Sequence, residues 1–327
     1  MPTKKLASAV NRCELQCHVI LSGGDAGARD EMSIAHVRPE GVHDLHEANV
    51  LCNIVKSSMK THISIIAALV LIFAGSHCLA QFKPEEVVFP SDGRQLHGFL
   101  WKPEGSGPFR AILWNHGSEK LPGSEPDLAN FYVAHSYVFF VPHRRGQGRS
   151  PGNYIQDEIA NAPPPARARR MVELQDAEVD DVVAALAYLK SLPFVDSRNI
   201  AISGCSYGGI QTLLAGERDL GVKALVPFAP GAKSWDRNDD IHDRLLRAVD
   251  LAKAPVFLLQ AENDFNLGPS HALANEASKK KKDFQSKIYP AYGKSPQDGH
   301  WKFCSMGTAV WGDDVLAFLD AYMKPKP

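Results

Sequence analysis

Cysteine is scarce in this sequence and is not arranged for metal binding. The six cysteines among 327 residues stand at positions 13, 17, 52, 78, 205 and 304. They do not form the pairs of closely spaced ligands that a zinc site needs. We therefore expect neither a bound metal nor a disulfide framework that holds the fold together.

The sequence also lacks an excess of charge of either sign. Its 36 lysines and arginines nearly balance its 37 aspartates and glutamates, for a formal net charge of −1. Nucleic-acid binding rests on clustered positive charge, and the only basic run is the short KKKK at 279–282. We expect that run to lie at a solvated helix end and expect no nucleic-acid partner.

A long hydrophobic run is missing as well. The longest one, Ile63–Gly75, spans thirteen residues, whereas a bilayer-spanning helix needs about twenty. Lys60 precedes the run and the small residue Ala80 follows it, which is the layout of a secretory signal peptide. We predict a signal peptide at 59–80, cleavage before Gln81, and an exported, periplasmic or secreted, protein without a stable membrane span.

Other interpretations of this run stay open. A membrane anchor or a buried helix is a weaker fit, and lipid attachment at Cys78 is a minor alternative because bulky His77 precedes it. Residues 1–58 show no helical or strand periodicity. We predict that 1–58 are not part of the native protein or are disordered. Of the cysteines, the mature chain keeps Cys205 and Cys304, which we expect to be buried free thiols rather than redox partners. Export to an oxidising compartment keeps a disulfide between them possible as the alternative.

From residue 82 onward, apolar strands alternate with helical segments. The strands are short and continuous, for example AILWNHG, YVFFVPHRRG, IAISGCSYGG and APVFLLQAEND. The clearest helix is predicted at about 172–191, and the proline-rich segment 161–170 before it as a surface excursion. Such alternation predicts a single α/β domain over 81–327, with a mostly parallel sheet covered by helices on both faces.

The stretch IAISGCSYGG carries the strongest chemical signal. It predicts a strand, then Gly204-Cys205-Ser206-Tyr207-Gly208, then a helix, which is the G-x-S-x-G pattern in its strand–turn–helix context. Glycines two residues before and after the serine allow a turn too tight for side chains. Ser206 is therefore predicted to be an exposed nucleophile at a helix N-terminus.

A serine nucleophile needs a base, and the base needs an acid that orients it. Asp264 follows the strand APVFLLQ at its C-terminal end, with Glu262 and Asp240 as the alternative acids. His300 lies in the last loop before the C-terminal helix. We predict the catalytic set Ser206, Asp264 and His300.

An oxyanion needs two backbone N–H donors. We predict that Tyr207, directly after the nucleophile, supplies one and that Ser118 supplies the other, with Gly117 as the next choice. His116 is expected to be structural. Trp235, together with the 152–170 excursion, is the predicted substrate-binding wall of an open pocket.

In this order, the motifs NHGSE, RRGQGRS, GCSYGG, AENDF and GH resemble the α/β-hydrolase superfamily, and the elbow resembles its dienelactone hydrolase-like and prolyl oligopeptidase-like branch. The resemblance covers about Glu85 to Met323 and implies an eight-stranded sheet with the triad named above. Two features of this sequence differ from those families. Dienelactone hydrolases have cysteine where Ser206 stands, and prolyl oligopeptidases carry a propeller domain for which this chain has no counterpart. His143 replaces an aspartate common in the superfamily, and we assign it, with Arg145, to loop structure.

The sequence thus predicts an exported serine hydrolase that cleaves a carboxylic ester or related small-molecule acyl compound through an acyl-enzyme. No organic cofactor is expected, because the triad supplies nucleophile, base and electrostatic stabilisation. A small peptidase of prolyl oligopeptidase type and a non-catalytic binding protein on the same fold are the alternatives. The sequence predicts no oligomeric state.

Overall fold

The computed structural model describes residues 82–324, and these contain an eight-stranded sheet. Its strands are β1 (Glu85–Ser91), β2 (Arg94–Trp101), β3 (Phe109–Asn115), β4 (Tyr137–Pro142), β5 (Val195–Cys205), β6 (Ala224–Phe228), β7 (Val256–Ala261) and β8 (Phe284–Tyr289). Their spatial order is β1-β2-β4-β3-β5-β6-β7-β8. From β4 to β8 all neighbours pair in parallel, while β1, β2 and β4 pair antiparallel. The predicted α/β-hydrolase fold with a mostly parallel eight-stranded sheet is confirmed.

Helices connect the parallel strands. They are α1 (Pro126–Ala134), α2 (Ile155–Asn161), α3 (Arg167–Ser191), α4 (Tyr207–Gly216), α5 (Asp239–Leu251), α6 (Gly268–Lys279), α7 (Phe303–Met306) and α8 (Thr308–Tyr322). Two short 3₁₀ turns lie at Pro164–Ala166 and Trp235–Arg237, and a π-helical turn spans Asp298–Lys302. Parallel strands need such crossovers because the chain must return to the end of the sheet where the previous strand began, and a short hairpin turn cannot do this.

The two faces of the sheet each pack against a separate hydrophobic cluster. Alternate strand residues point to opposite faces, so Leu113 and Ile202 join one cluster while Trp114 and Ala201 join the other. Helices α3, α4, α5 and α6 cover the first face, and α1, α7 and α8 cover the second. Burial on both faces explains why the central strands are continuously apolar.

The first two strands form the predicted hairpin. Asp92 and Gly93 both have positive φ, 47° and 73°, as a two-residue type I′ turn requires. The helix predicted at about 172–191 begins earlier, at Arg167, so the second part of the proline-rich segment belongs to a 3₁₀ turn and to α3. The last proline there, Pro165, lies in that 3₁₀ turn ahead of α3 and so does not interrupt the helix.

The predicted signal peptide at 59–80 and the segment 1–58 lie outside the described residues. Within 82–324, no helix is both long enough and apolar enough to cross a bilayer.

The two cysteines of this domain form a disulfide, so the expectation of free thiols is wrong. The Sγ atoms of Cys205 and Cys304 are bonded at 2.04 Å, with Cα atoms 6.0 Å apart. Both residues are buried small side chains, as expected. Their spacing of 99 positions hides the pairing in the sequence, because the sheet brings the end of β5 next to the segment that follows β8.

We expect Cys304→Ala to lower the free energy of unfolding by about 2–5 kcal/mol, since closing a loop of this length restricts the unfolded chain. Denaturant unfolding of the oxidised proteins measures this difference. The same loss should appear when the wild type is reduced, and reduction should not affect the variant further. Peptide mapping after alkylation without reductant should leave Cys205 and Cys304 unlabelled. Full labelling of both in folded protein would contradict the disulfide.

Candidate active site

Ser206 lies in a strained turn between β5 and α4. Its backbone has φ 58° and ψ −114°, a left-handed conformation that is rare for a residue with a β-carbon. A β-carbon on Gly208 would overlap the backbone oxygen of Asn115, and one on Gly204 would lie 2.5 Å from the Gly208 oxygen. The glycine spacing of the motif is therefore a steric requirement of this turn.

Asp264 and His300 are brought together from the segments that follow β7 and β8. Nδ1 of His300 lies 2.8 Å from Oδ1 and 3.0 Å from Oδ2 of Asp264. Both side chains are fully buried. The alternative acids Glu262 and Asp240 are exposed and are not bonded to this histidine. His300 lies in the π-helical turn rather than in an irregular loop.

Further hydrogen bonds hold the carboxylate of Asp264. Gln260 Nε2 donates to its Oδ2 at 2.9 Å, and the backbone N–H of Phe265 donates to Oδ1. Gln260 is itself fixed, because Ser270 donates to its Oε1 and its amide group also donates to the Asn266 carbonyl. A carboxylate held by several donors keeps its orientation and can orient the imidazole.

The second ring nitrogen of His300, Nε2, is buried. With Nδ1 donating to Asp264, Nε2 is the acceptor of the neutral ring, and within residues 82–324 it has no hydrogen-bond partner although it is buried. The carbonyl oxygen of His300 lies 3.8 Å from Sγ of Cys205, the residue before Ser206. The ring is held between Phe265 and Trp301, with centroid distances of 5.3 and 4.5 Å. The bond to Asp264 and these ring contacts fix the orientation of the imidazole.

The predicted oxyanion donors line the same cavity as Ser206. Tyr207 is the first residue of α4, and an N–H at that position has no acceptor within its helix. Ser118 also lines this cavity and is the third residue of the loop that follows β3. The Ser118 carbonyl accepts a hydrogen bond from the Tyr154 hydroxyl, which fixes that loop from outside.

The cavity beside Ser206 is small and polar, about 250 Å³. Apart from the site residues it is lined by Gln156, Met171, Gln175, Ile210, Gly231, Lys233, Ser234 and Arg237. The predicted wall from the 152–170 excursion contributes Gln156. Trp235 is not among the lining residues, because its ring stacks on His242 at a centroid distance of 3.8 Å.

A second cavity of about 530 Å³ meets the first at Ser118. Two tryptophans, Trp114 and Trp301, line it, with the disulfide and the carboxylates of Glu119 and Glu125. Burial, followed by repulsion from Glu119 and Asp127, raises the pKa of the Glu125 carboxyl from 4.5 to about 7. Glu125 also has a positive φ of 53° at the start of α1.

Sequence reasoning did not identify Arg144, which lies fully buried beneath the site. The motif RRGQGRS contains two adjacent arginines, and only Arg145 was assigned a role. Arg145 bonds Asp181 on α3, which agrees with its expected place in loop structure.

His116 is buried, and burial followed by repulsion from Arg144 holds its pKa well below the usual value, so it is neutral. Its Nδ1 lies 3.0 Å from the Gly117 carbonyl, within its own loop.

Across the described part of the chain, no three His, Cys, Asp or Glu side chains cluster closely enough to hold a metal ion. The chemistry that this arrangement allows is proton transfer between a serine hydroxyl and an oriented imidazole.

The raised pKa of Glu125 has a consequence for stability. The fold disfavours its charged form, so wild-type stability should fall as the pH rises from about 4.5 to 7, by up to about 3 kcal/mol. Glu125→Gln should therefore be more stable than the wild type at pH 8, and the two proteins should converge near pH 4.5. Thermal or denaturant unfolding across this range measures the difference.

The matched control is Asp313→Asn, an exposed carboxylate on α8 that is not among the groups that raise the pKa of Glu125. Its stability should stay within about 0.5 kcal/mol of the wild type at each pH. A Glu125→Gln variant that is less stable than the wild type at pH 8 would contradict the burial of that charge.

Solved structures share this fold at low sequence identity. An acylaminoacyl peptidase of Pyrococcus horikoshii superposes with a TM-score of 0.59 at 18% identity, covering 79% of this chain and 44% of that one. An esterase of Pyrococcus furiosus superposes with a TM-score of 0.55 at 16% identity, covering 75% of this chain and 92% of that one. At such identities the likeness concerns the fold alone.

Curated relatives match in sequence as well. A protein named "Probable dipeptidyl-peptidase 5" of Aspergillus terreus is 24% identical over 282 residues, which is 75% of this chain. The chain spans only about a third, 36%, of that protein's length. The polyketide transferase grgF of a Penicillium species is 29% identical over 196 residues, which is 57% of this chain and 60% of that protein.

The family model for dienelactone hydrolases matches residues 132–295, about half of the chain. The match begins within α1 and ends shortly after β8, so it includes Ser206 and Asp264 and stops just before His300. The chain belongs to the dienelactone hydrolase family, a family of hydrolases with the α/β-hydrolase fold.

Proposed function

We propose that this protein is a serine hydrolase that cleaves a carboxylic ester with a small acyl group through an acyl-enzyme. The observation that carries the proposal is His300, whose Nδ1 is bonded to Asp264 while its Nε2 is buried and unpartnered within the described chain. In the proposed reaction, this nitrogen accepts the proton of the serine hydroxyl and later donates it to the leaving group. The small polar cavity beside Ser206 supports a short acyl group.

In the proposed reaction, Ser206 Oγ attacks the acyl carbonyl and its proton passes to His300 Nε2. The imidazolium is stabilised by Asp264, and the tetrahedral oxyanion by the N–H groups of Tyr207 and Ser118. His300 then returns the proton to the leaving alkoxide as the ester C–O bond breaks. Water, deprotonated by His300, attacks the acyl-enzyme. The bond between the acyl carbon and Ser206 Oγ then breaks, His300 returns its proton to Oγ, and the acid leaves.

A small peptidase is the second candidate. Several structural neighbours and curated relatives carry peptidase names, and the carboxylates of Glu119 and Glu125 line the cavity next to Ser118. An amine on the substrate would find opposite charge there.

Export is the accompanying proposal. The segment 59–80 has the layout of a signal peptide, and a disulfide persists mainly in oxidising compartments. The two observations are independent, since one rests on the sequence and the other on the folded domain.

The first test concerns the nucleophile. A fluorophosphonate probe should label Ser206, and Ser206→Ala should lose both labelling and hydrolysis of p-nitrophenyl acetate. His300→Ala should reduce kcat by about 10⁴-fold or more, because the members of a triad act as a unit. Near-wild-type hydrolysis by purified Ser206→Ala would overturn the proposal in favour of a binding protein.

The same assay separates the two enzymatic candidates. The panel contains p-nitrophenyl esters of acetate, butyrate and octanoate, together with an aminoacyl p-nitroanilide. The ester proposal expects kcat/KM to be highest for the short esters and to fall for octanoate. A kcat/KM for the anilide above that for every ester would favour the peptidase. His242→Ala serves as the control, since that histidine only packs on Trp235 and bonds its carbonyl.

Export makes a separate prediction. When the full-length gene is expressed in a secreting host, protein recovered from the periplasm or the medium should begin at Gln81. N-terminal sequencing of that fraction measures it. A mature protein that retains residues 59–80 would contradict the signal peptide.

A further inference from the structure

Arg144 lies between the two segments that carry the proposed oxyanion donors. Its side chain is buried, and it lies two residues after the end of β4 in the chain. Nη2 donates to the Gly117 carbonyl at 2.6 Å and to the His116 carbonyl at 3.0 Å. These two peptide groups immediately precede the Ser118 donor, so the arginine fixes one side of the proposed oxyanion hole.

The same guanidinium reaches the other side. Its central carbon lies 4.8 Å from the ring centroid of Tyr207, and its Nε lies 3.2 Å from Oε2 of Glu178 on α3. The Tyr207 hydroxyl donates to that same oxygen at 2.8 Å. Arg144 and Glu178 thus hold the side chain of the residue whose backbone N–H is the second donor.

A buried ion pair of this kind is costly to desolvate, and apolar residues of similar volume often stabilise a fold as well or better. Burial raises the pKa of Glu178, and the positive charge of Arg144 opposes that shift. Stability alone therefore does not account for a fully buried arginine here. What the guanidinium offers here is one nitrogen, Nη2, that donates to two carbonyls, and a positive charge that faces the carboxylate of Glu178. Its Nε and Nη1 are buried without a hydrogen-bond partner in the described residues.

We propose that Arg144 is a positioning residue of the oxyanion hole, which sets the separation of the Ser118 and Tyr207 N–H groups through Gly117 and Glu178. The inference rests on the proposed serine hydrolase function. It assigns Arg144 no contact with substrate. Loss of an oxyanion-hole donor lowers kcat by about 10²–10³-fold. Displacement of the Ser118 and Tyr207 N–H groups should therefore lower mainly kcat.

The test compares Arg144→Lys with Arg145→Lys. Both variants keep the positive charge, and both arginines are paired to acids on α3, but Arg145 reaches only Asp181 and Asp92. Arg144→Lys should lower kcat for p-nitrophenyl acetate by about 10–100-fold with KM within threefold. Arg145→Lys should keep kcat within twofold of the wild type, even if its melting temperature falls as far as that of Arg144→Lys.

A second measurement addresses the oxyanion hole itself. Inhibition by a trifluoromethyl ketone, which forms a tetrahedral adduct on the serine, should weaken in Arg144→Lys by about the same factor as kcat/KM. Tyr207→Phe, which removes the bond to Glu178 but keeps the backbone donor, should lower kcat in the same direction by a smaller factor. This variant decides the matter if Arg144→Lys does not fold.

The proposal is overturned if kcat and inhibitor affinity stay within twofold of the wild type in the folded variants, or if Arg145→Lys loses as much kcat as Arg144→Lys. Either result leaves the serine hydrolase proposal standing, provided the wild type is labelled at Ser206. Wild-type protein that is not labelled there and does not hydrolyse the ester would instead overturn the proposed function.

Discussion

The close approach between the end of β3 and the turn at Ser206 is the constraint on which the rest of the site depends. The helix α4 starts so near the Asn115 backbone that Gly208 leaves no room for a β-carbon. The positive φ of Ser206 accompanies this contact, and Tyr207, the next residue, begins α4. The positions of Ser206 and of the proposed donor on Tyr207 are therefore set by backbone packing, before any side chain acts.

Two ion pairs between consecutive arginines and acids on α3 lie next to this packed backbone. Arg144 is balanced by Glu178, and the next arginine along the chain is balanced by Asp181, one helical turn further on α3. Next to Arg144 lies His116, the first residue of the loop after β3, which burial and the arginine keep neutral. A charged imidazole there would place a second buried positive charge against Arg144. The neutral ring lets the arginine approach the carbonyls of His116 and Gly117.

The sequence predicted the parts of this structure that follow from local pattern. Continuous apolar strands and intervening helices predicted the sheet, and the glycine spacing around Ser206 predicted the elbow. Chain order predicted that Asp264 and His300 would follow β7 and β8, and these two side chains are indeed in contact. The Cys205–Cys304 bond and the contacts of Arg144 could not be predicted, because both join segments distant in sequence. No local pattern records which buried partner a cysteine or an arginine will meet.

The disulfide gives the site a rigidity that hydrogen bonds alone do not. Ser206 is fixed by the elbow and Asp264 by Gln260 from β7, whereas His300 lies in a short π-helical turn beyond the last strand. That turn comes after β8, which is the edge strand of the sheet. Cys304 follows four residues later and is bonded to Cys205, the residue before Ser206. The crosslink therefore joins the segment that carries His300 covalently to the end of the central strand β5, next to Ser206.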